Sequence, residues 1–131
     1  MRKKLTRREA RDLDIEIGFI KGILRRAPDF LEALQVLGDD YARCGRFDDG
    51  LKVDKKLAVL QPADPNVFYN LACSYTLTGR LTAAARALWQ ALDCGYTDLQ
   101  SLAEDPDLEA LRRHPRYKKI QQRIQTELSP C

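Results

Sequence analysis

One histidine, four cysteines and two doubled aspartates are the residues of this chain whose types could carry chemistry. His114 stands beside Pro115, and no serine, cysteine or paired acid is spaced to use it as a base. Cys44, Cys73, Cys94 and Cys131 show no C-x-x-C spacing and no second histidine. A zinc site needs about four convergent nitrogen or sulfur ligands, so no metal site is expected. The thiols read as small apolar fillers or surface groups, in a protein held by packing and not by disulfides. Asp39-Asp40 and Asp48-Asp49 read as helix-surface and cap acids, and no glycine-rich phosphate loop is present. The expectation is a protein with no catalytic residue and no cofactor, hence not an enzyme.

The elements that would position any functional side chain are legible in an internal repeat. Laid over residues 65–98, residues 31–64 match where matching is most demanding. Leu34 falls on Phe68, Leu37 on Leu71, Gly38 on Ala72, Tyr41 on Tyr75, Gly45 on Gly79, Phe47 on Leu81 and Gly50 on Ala84. The offset in numbering is the same for every pair. Apolar residues recur at i, i+3, i+4 and i+7, as on an amphipathic helix. Gly45 and Gly79 sit where a first helix should end with positive φ. Asp48 and Thr82 are expected to cap the second helices. Ala27-Pro28 and Asp64-Pro65 are expected to open the next first helix, with proline early. Gly38, Gly50, Ala72 and Ala84 mark where paired helices cross, and anything larger than a methyl there would push them apart.

Subtracting the period from Phe47, Leu51, Leu57 and Pro62 lands on Leu13, Ile17, Ile23 and Pro28, so a lone second helix precedes the repeats. It carries an apolar stripe of Leu13, Ile17, Ile20, Ile23 and Leu24, with Phe19 at its edge. Glu16 takes the place of Gly50 and Ala84. Asp54 stands where Ile20 and Leu88 lead one to expect an apolar residue; it is either neutralised by a cation or lies at a wet end. Downstream the period fails, because Tyr96 replaces the proline. Thr97-Asp98, Asp105-Pro106 and Pro115 then open short helices, the last holding Tyr117, Ile120, Ile124 and Leu128. Trp89 and Tyr96 are expected to pack against this tail.

Charge is uneven along the chain. Residues 1–27 carry nine Lys/Arg against four acids, residues 28–98 seven against ten, and residues 99–131 six against five. No run approaches the roughly 18 apolar residues of a membrane span, and no apolar segment follows the basic start. A cytoplasmic protein is expected. The basic run Arg2, Lys3, Lys4, Arg7, Arg8 and Arg11 reads first as a solubilising arm. Binding of nucleic acid or an anionic surface through it and through residues 112–119 is an alternative, disfavoured because no aromatic residues interleave with that first run.

This period, with large–x–x–Leu–small–x–x–Tyr, glycine and then a second small residue, resembles the tetratricopeptide repeat. The resemblance implies an all-α, right-handed superhelix of antiparallel helix pairs in one domain, residues 1–131. Its parts would be a basic arm (1–11), a capping helix (12–27), repeats at 31–64 and 65–98, and a degenerate helical cap (99–131). It implies a non-catalytic scaffold that binds a partner polypeptide in a concave groove lined by the first helices. The groove positions are Glu32, Gln35, Val36, Asp39, Ala42 and Arg43, then Asn66, Tyr69, Asn70, Cys73, Thr76 and Leu77. Glu32 and Asp39 favour a basic peptide, Tyr69 is expected as an aromatic platform, and Asn70 can grip peptide backbone. The chaperone-binding subtype needs a lysine where Gln35 stands and an asparagine where Asp39 stands; only Asn70 fits. Self-assembly into a homo-oligomer is the remaining alternative.

Overall fold

The computed structural model describes residues 4–128. Arg2 and Lys3 of the basic arm, and Cys131, lie outside the described residues. All regular structure among the described residues is helical: α1 (Arg7–Arg26), α2 (Leu31–Arg43), α3 (Phe47–Leu60), α4 (Pro65–Leu77), α5 (Leu81–Asp93), α6 (Leu99–Glu104), α7 (Glu109–Arg112) and α8 (Tyr117–Leu128), with a 3-10 turn at Pro106–Leu108. The chain divides between Pro62 and Ala63 into two compact units. Among the described residues no helix is long and apolar enough to cross a membrane.

The period returns as geometry. Both ends of α4 lie one period beyond those of α2, Pro65 answering Leu31 and Leu77 answering Arg43. The start of α5 at Leu81 answers that of α3 at Phe47 in the same way. Gly45 and Gly79 both have φ of 78°, the left-handed region that costs a side-chain-bearing residue about 1–2 kcal/mol. Each turn is closed by the same bond, from Arg46 N to Tyr41 O and from Arg80 N to Tyr75 O, both 2.8 Å. This is the six-to-one bond of a Schellman turn. It delivers the chain straight into the next helix, and that changes the caps. The N-cap positions of α3 and α5 are Arg46 and Arg80, with no side-chain cap bond. Asp48 and Thr82, expected as caps, lie inside the first turns. Asp48 and Asp49 there favour the positive end of the helix dipole.

In the first unit α1 packs on α2, and α2 on α3. α1 starts earlier than expected: residues 7–11, assigned to the arm, are helical. Thr6 is the reason. Its side chain accepts from Glu9 N (3.1 Å), and Glu9 Oε1 accepts from Thr6 N (3.2 Å), a complete capping box. At the other end α1 and α3 finish alike, with Ala27 N bonded to Ile23 O and Gln61 N to Leu57 O. Pro28 therefore lies in the connecting turn, not at the start of α2, whose N-cap is Phe30. Leu13 and Ile17 are buried with Leu34, Leu37, Tyr41, Leu51 and Leu57, while Ile15 and Phe19 remain about two-thirds exposed. A Cβ built on Gly50 would lie 3.6 Å from Tyr41 Cβ, ordinary contact, so this crossing accepts a methyl. At Gly38 the space is used differently: Asp54 Oδ1 would lie 3.4 Å from an added Cβ. Asp54 is thus tucked, buried, into room that the glycine leaves.

In the second unit α4 packs along α5, and the carboxyl-terminal helices close over both. Ala72 and Ala84 are fully buried, matching Gly38 and Gly50 in position. Asp64 caps α4 by accepting from Asn66 N (2.9 Å), with Pro65 at the first helical position, as its sequence predicts. Asp98 caps α6 and Asp105 the 3-10 turn, again as predicted. Leu102, Leu108 and Leu111 are wholly buried, each contributing about 1.5–3 kcal/mol through apolar surface removed from water. Tyr117, Ile120 and Ile124 form the buried stripe of α8, while Leu128 is exposed.

Candidate partner-binding surface

The helical spacing of α2 sets Glu32, Gln35, Asp39 and Arg43 along one side of that helix, and all four are exposed. Val36 beside them is 38% exposed and Ala42 half-buried. Glu32 lies in the first turn and Arg43 in the last. These are the ends where the helix dipole favours their signs, so both charges have a local reason to be there. Gln35 and Asp39 have no such reason. Asp39 is exposed, yet the protein packed around its carboxyl pushes its pKa up.

On α4, Asn66 and Asn70 are exposed one turn apart, and Cys73 is half-buried one turn further on. Leu77 is half-buried, and Thr76 is buried with its hydroxyl donating to Ala72 O (2.8 Å). Tyr69 departs from expectation. Its ring is only 8% exposed and stacks on Tyr96, with centroids 4.5 Å apart and planes 5° from parallel. Its hydroxyl donates to Asp105 Oδ2 at 2.6 Å. Burial and that carboxylate together raise its pKa far above the ordinary phenol range. Tyr69 is therefore a strut to the carboxyl-terminal segment and not an open platform for a ligand. Asp105 serves it with one oxygen and caps the 3-10 turn with the other, which accepts from Asp107 N at 2.9 Å. The signal in the sequence was Tyr96, the residue that breaks the proline period.

Asp40 was also missed. It is 3% exposed, and its Oδ2 has no hydrogen-bond partner. Its pKa is pushed up to about 6, chiefly by burial, then by a hydrogen bond and like charge from Glu16 of α1, with Arg43 opposing. Glu16 of α1 therefore lies close enough to the buried carboxyl on the next helix to hold its proton more tightly.

Among the described residues no group of three or more His, Cys, Asp or Glu side chains is placed to hold a metal ion. What α2 and α4 present are exposed amides and the carboxylates of Glu32 and Asp39 on rigid helices, groups that can hydrogen-bond a polypeptide or attract a cation. No protein-family model matches the chain. Over 92 residues it is 30% identical to a protein of Arabidopsis thaliana whose name describes it as chloroplastic. That alignment takes in 68% of this chain and 26% of the relative, so the chain spans about a quarter of the length of the protein it resembles.

Proposed function

We propose that this chain is a non-catalytic interaction module of the tetratricopeptide kind, built from a superhelix of helix pairs, which holds a partner polypeptide on the exposed faces of its first helices, α2 and α4. The observation that carries the reading is the recurrence of one helix–turn–helix geometry after a full period, down to the left-handed glycine and its closing bond. Repeats of this sort present a row of rigid side chains instead of a pocket. Gln35, Asp39, Asn66 and Asn70 are the groups that have no local structural use. Asp39 and Glu32 favour a segment with lysine or arginine, a preference that salt weakens.

Affinity capture with the tagged chain, followed by mass spectrometry, tests this against an Asp39→Lys/Asn70→Ala variant. Proteins retained by the native chain and lost by the variant support the reading. An identical set from both overturns it. A cytoplasmic location belongs to the same proposal. A chloroplast location, which the relative's name gives to that protein, is its competitor. Microscopy of the tagged chain in its native cell separates the two.

A further inference from the structure

A groove of about 360 Å³ opens in the second unit beside α5 and α8. Its apolar lining is Ala85, Trp89, Pro115 and Ile120, and Trp89 is 39% exposed within it. Arg86, Arg116 and Lys119 line the same groove and are exposed. The only carboxylates in the two wall helices are Asp93 and Glu127, and both are committed to Arg123. Its Nη1 lies 2.7 Å from Asp93 Oδ1, its Nε 3.1 Å from Glu127 Oε1. Arg123 itself lies over the Trp89 ring, 4.6 Å from the centroid. Among the described residues no carboxylate pairs with Arg86, Arg116 or Lys119.

We propose that this groove is a second docking site, for an acidic polypeptide segment that places a large apolar side chain against Trp89. Charge complementarity selects the occupant. Three cations without partners among the described residues flank an apolar floor, so a basic or neutral segment gains nothing from the rim, and an acidic one meets it on every side. Tryptophan and arginine are the residue types that most often anchor interfaces, because they combine large buried area with a directional polar group. The volume lies at the low end of ligand clefts, room for a few side chains and not for a folded domain. Lysine and arginine stems beside the floor add apolar contact while their heads reach the carboxylates. None of these residues belongs to the α2 and α4 faces assigned above. The two sites favour opposite charges, and either can fail without the other.

Trp89 is the chain's single tryptophan, so its emission reports this groove alone. The probe is a short synthetic peptide with a central Phe-Leu pair flanked by glutamates, titrated into the full chain. A saturable change in Trp89 emission is expected, lost when serines replace the Phe-Leu pair and weakened severalfold at high salt. An Arg86→Glu/Lys119→Glu variant, checked by circular dichroism, should bind the acidic peptide at least about tenfold more weakly. It should also gain binding to a lysine-flanked version of the peptide. No emission change with the acidic peptide, an equal response to the serine or lysine peptide, or no effect of charge reversal would overturn the assignment. So would an emission change produced by protein concentration alone, since that makes a second copy the occupant.

Discussion

Replacing Asp40 by asparagine is expected to stabilise this protein at neutral pH, against the usual sign for a change at a buried position. The carboxyl is 3% exposed, has one oxygen without a partner and faces Glu16. Folding lifts its pKa from the ordinary 3.8 to about 6. Between those values the folded chain binds more protons than the unfolded one, so stability falls as pH rises through that window. At 1.36 kcal/mol per unit, the ionised carboxylate costs about 3 kcal/mol above pH 7 and nothing below about pH 4. Asparagine keeps the shape, removes the charge and offers an N–H to Glu16. Part of the gain is offset by the remaining buried carbonyl, leaving an expected stabilisation of about 1–3 kcal/mol at pH 7.5. The assay is urea unfolding of both proteins at several pH values between 4 and 7.5, read by circular dichroism. The advantage of Asp40→Asn should shrink as the pH falls and vanish near pH 4. Glu16→Gln should act in the same direction, since it removes the like charge. A variant less stable than the parent at pH 7.5, or a difference indifferent to pH, would refute the account.

Gly50→Ala should stabilise by about 0.5–1 kcal/mol in thermal unfolding, because the added methyl meets only ordinary contacts and glycine is a poor residue within a helix; a loss of stability would show that α2 and α3 are closer than described. Gly79→Ala should destabilise by about 1–2 kcal/mol although its Cβ meets nothing within 4 Å, since the cost lies in φ alone. A neutral result there would mean that the turn relaxes. Tyr69→Phe keeps the stack on Tyr96 and deletes the bond to Asp105. It should lower stability by about 1–2 kcal/mol in urea, and no loss would mean that water replaces the hydroxyl without penalty.

The helix pairs were readable because their determinants are local. A repeated glycine at the end of an amphipathic run dictates the same left-handed turn each time, and the spacing then carries the helix ends to the right residues. The start of α1 was readable too, in Thr6-x-x-Glu9, but the cluster of arginines around it suggested an arm instead. The caps expected of Asp48 and Thr82 fell inside the helices because the glycine turn leaves no room for a separate capping residue. Tyr69, Asp40 and the Trp89 groove were out of reach for a different reason. Each depends on a partner far along the chain, Asp105 for the first, Glu16 for the second and the α8 residues for the third. Periodicity says which face a residue occupies, and nothing about what later folds over it. Family analogy turned Tyr69 outward; the carboxyl-terminal segment, which obeys no repeat, turned it into a contact.

Asp105 also sets a limit on dissection. Anyone cutting out α4 and α5 as a portable cassette would sever the carboxylate that holds the Tyr69 hydroxyl, and a cut before Tyr96 would uncover the ring as well. The smallest graftable block in this half of the chain therefore runs from Asp64 past Asp107, and protease fragments that end sooner should be short-lived.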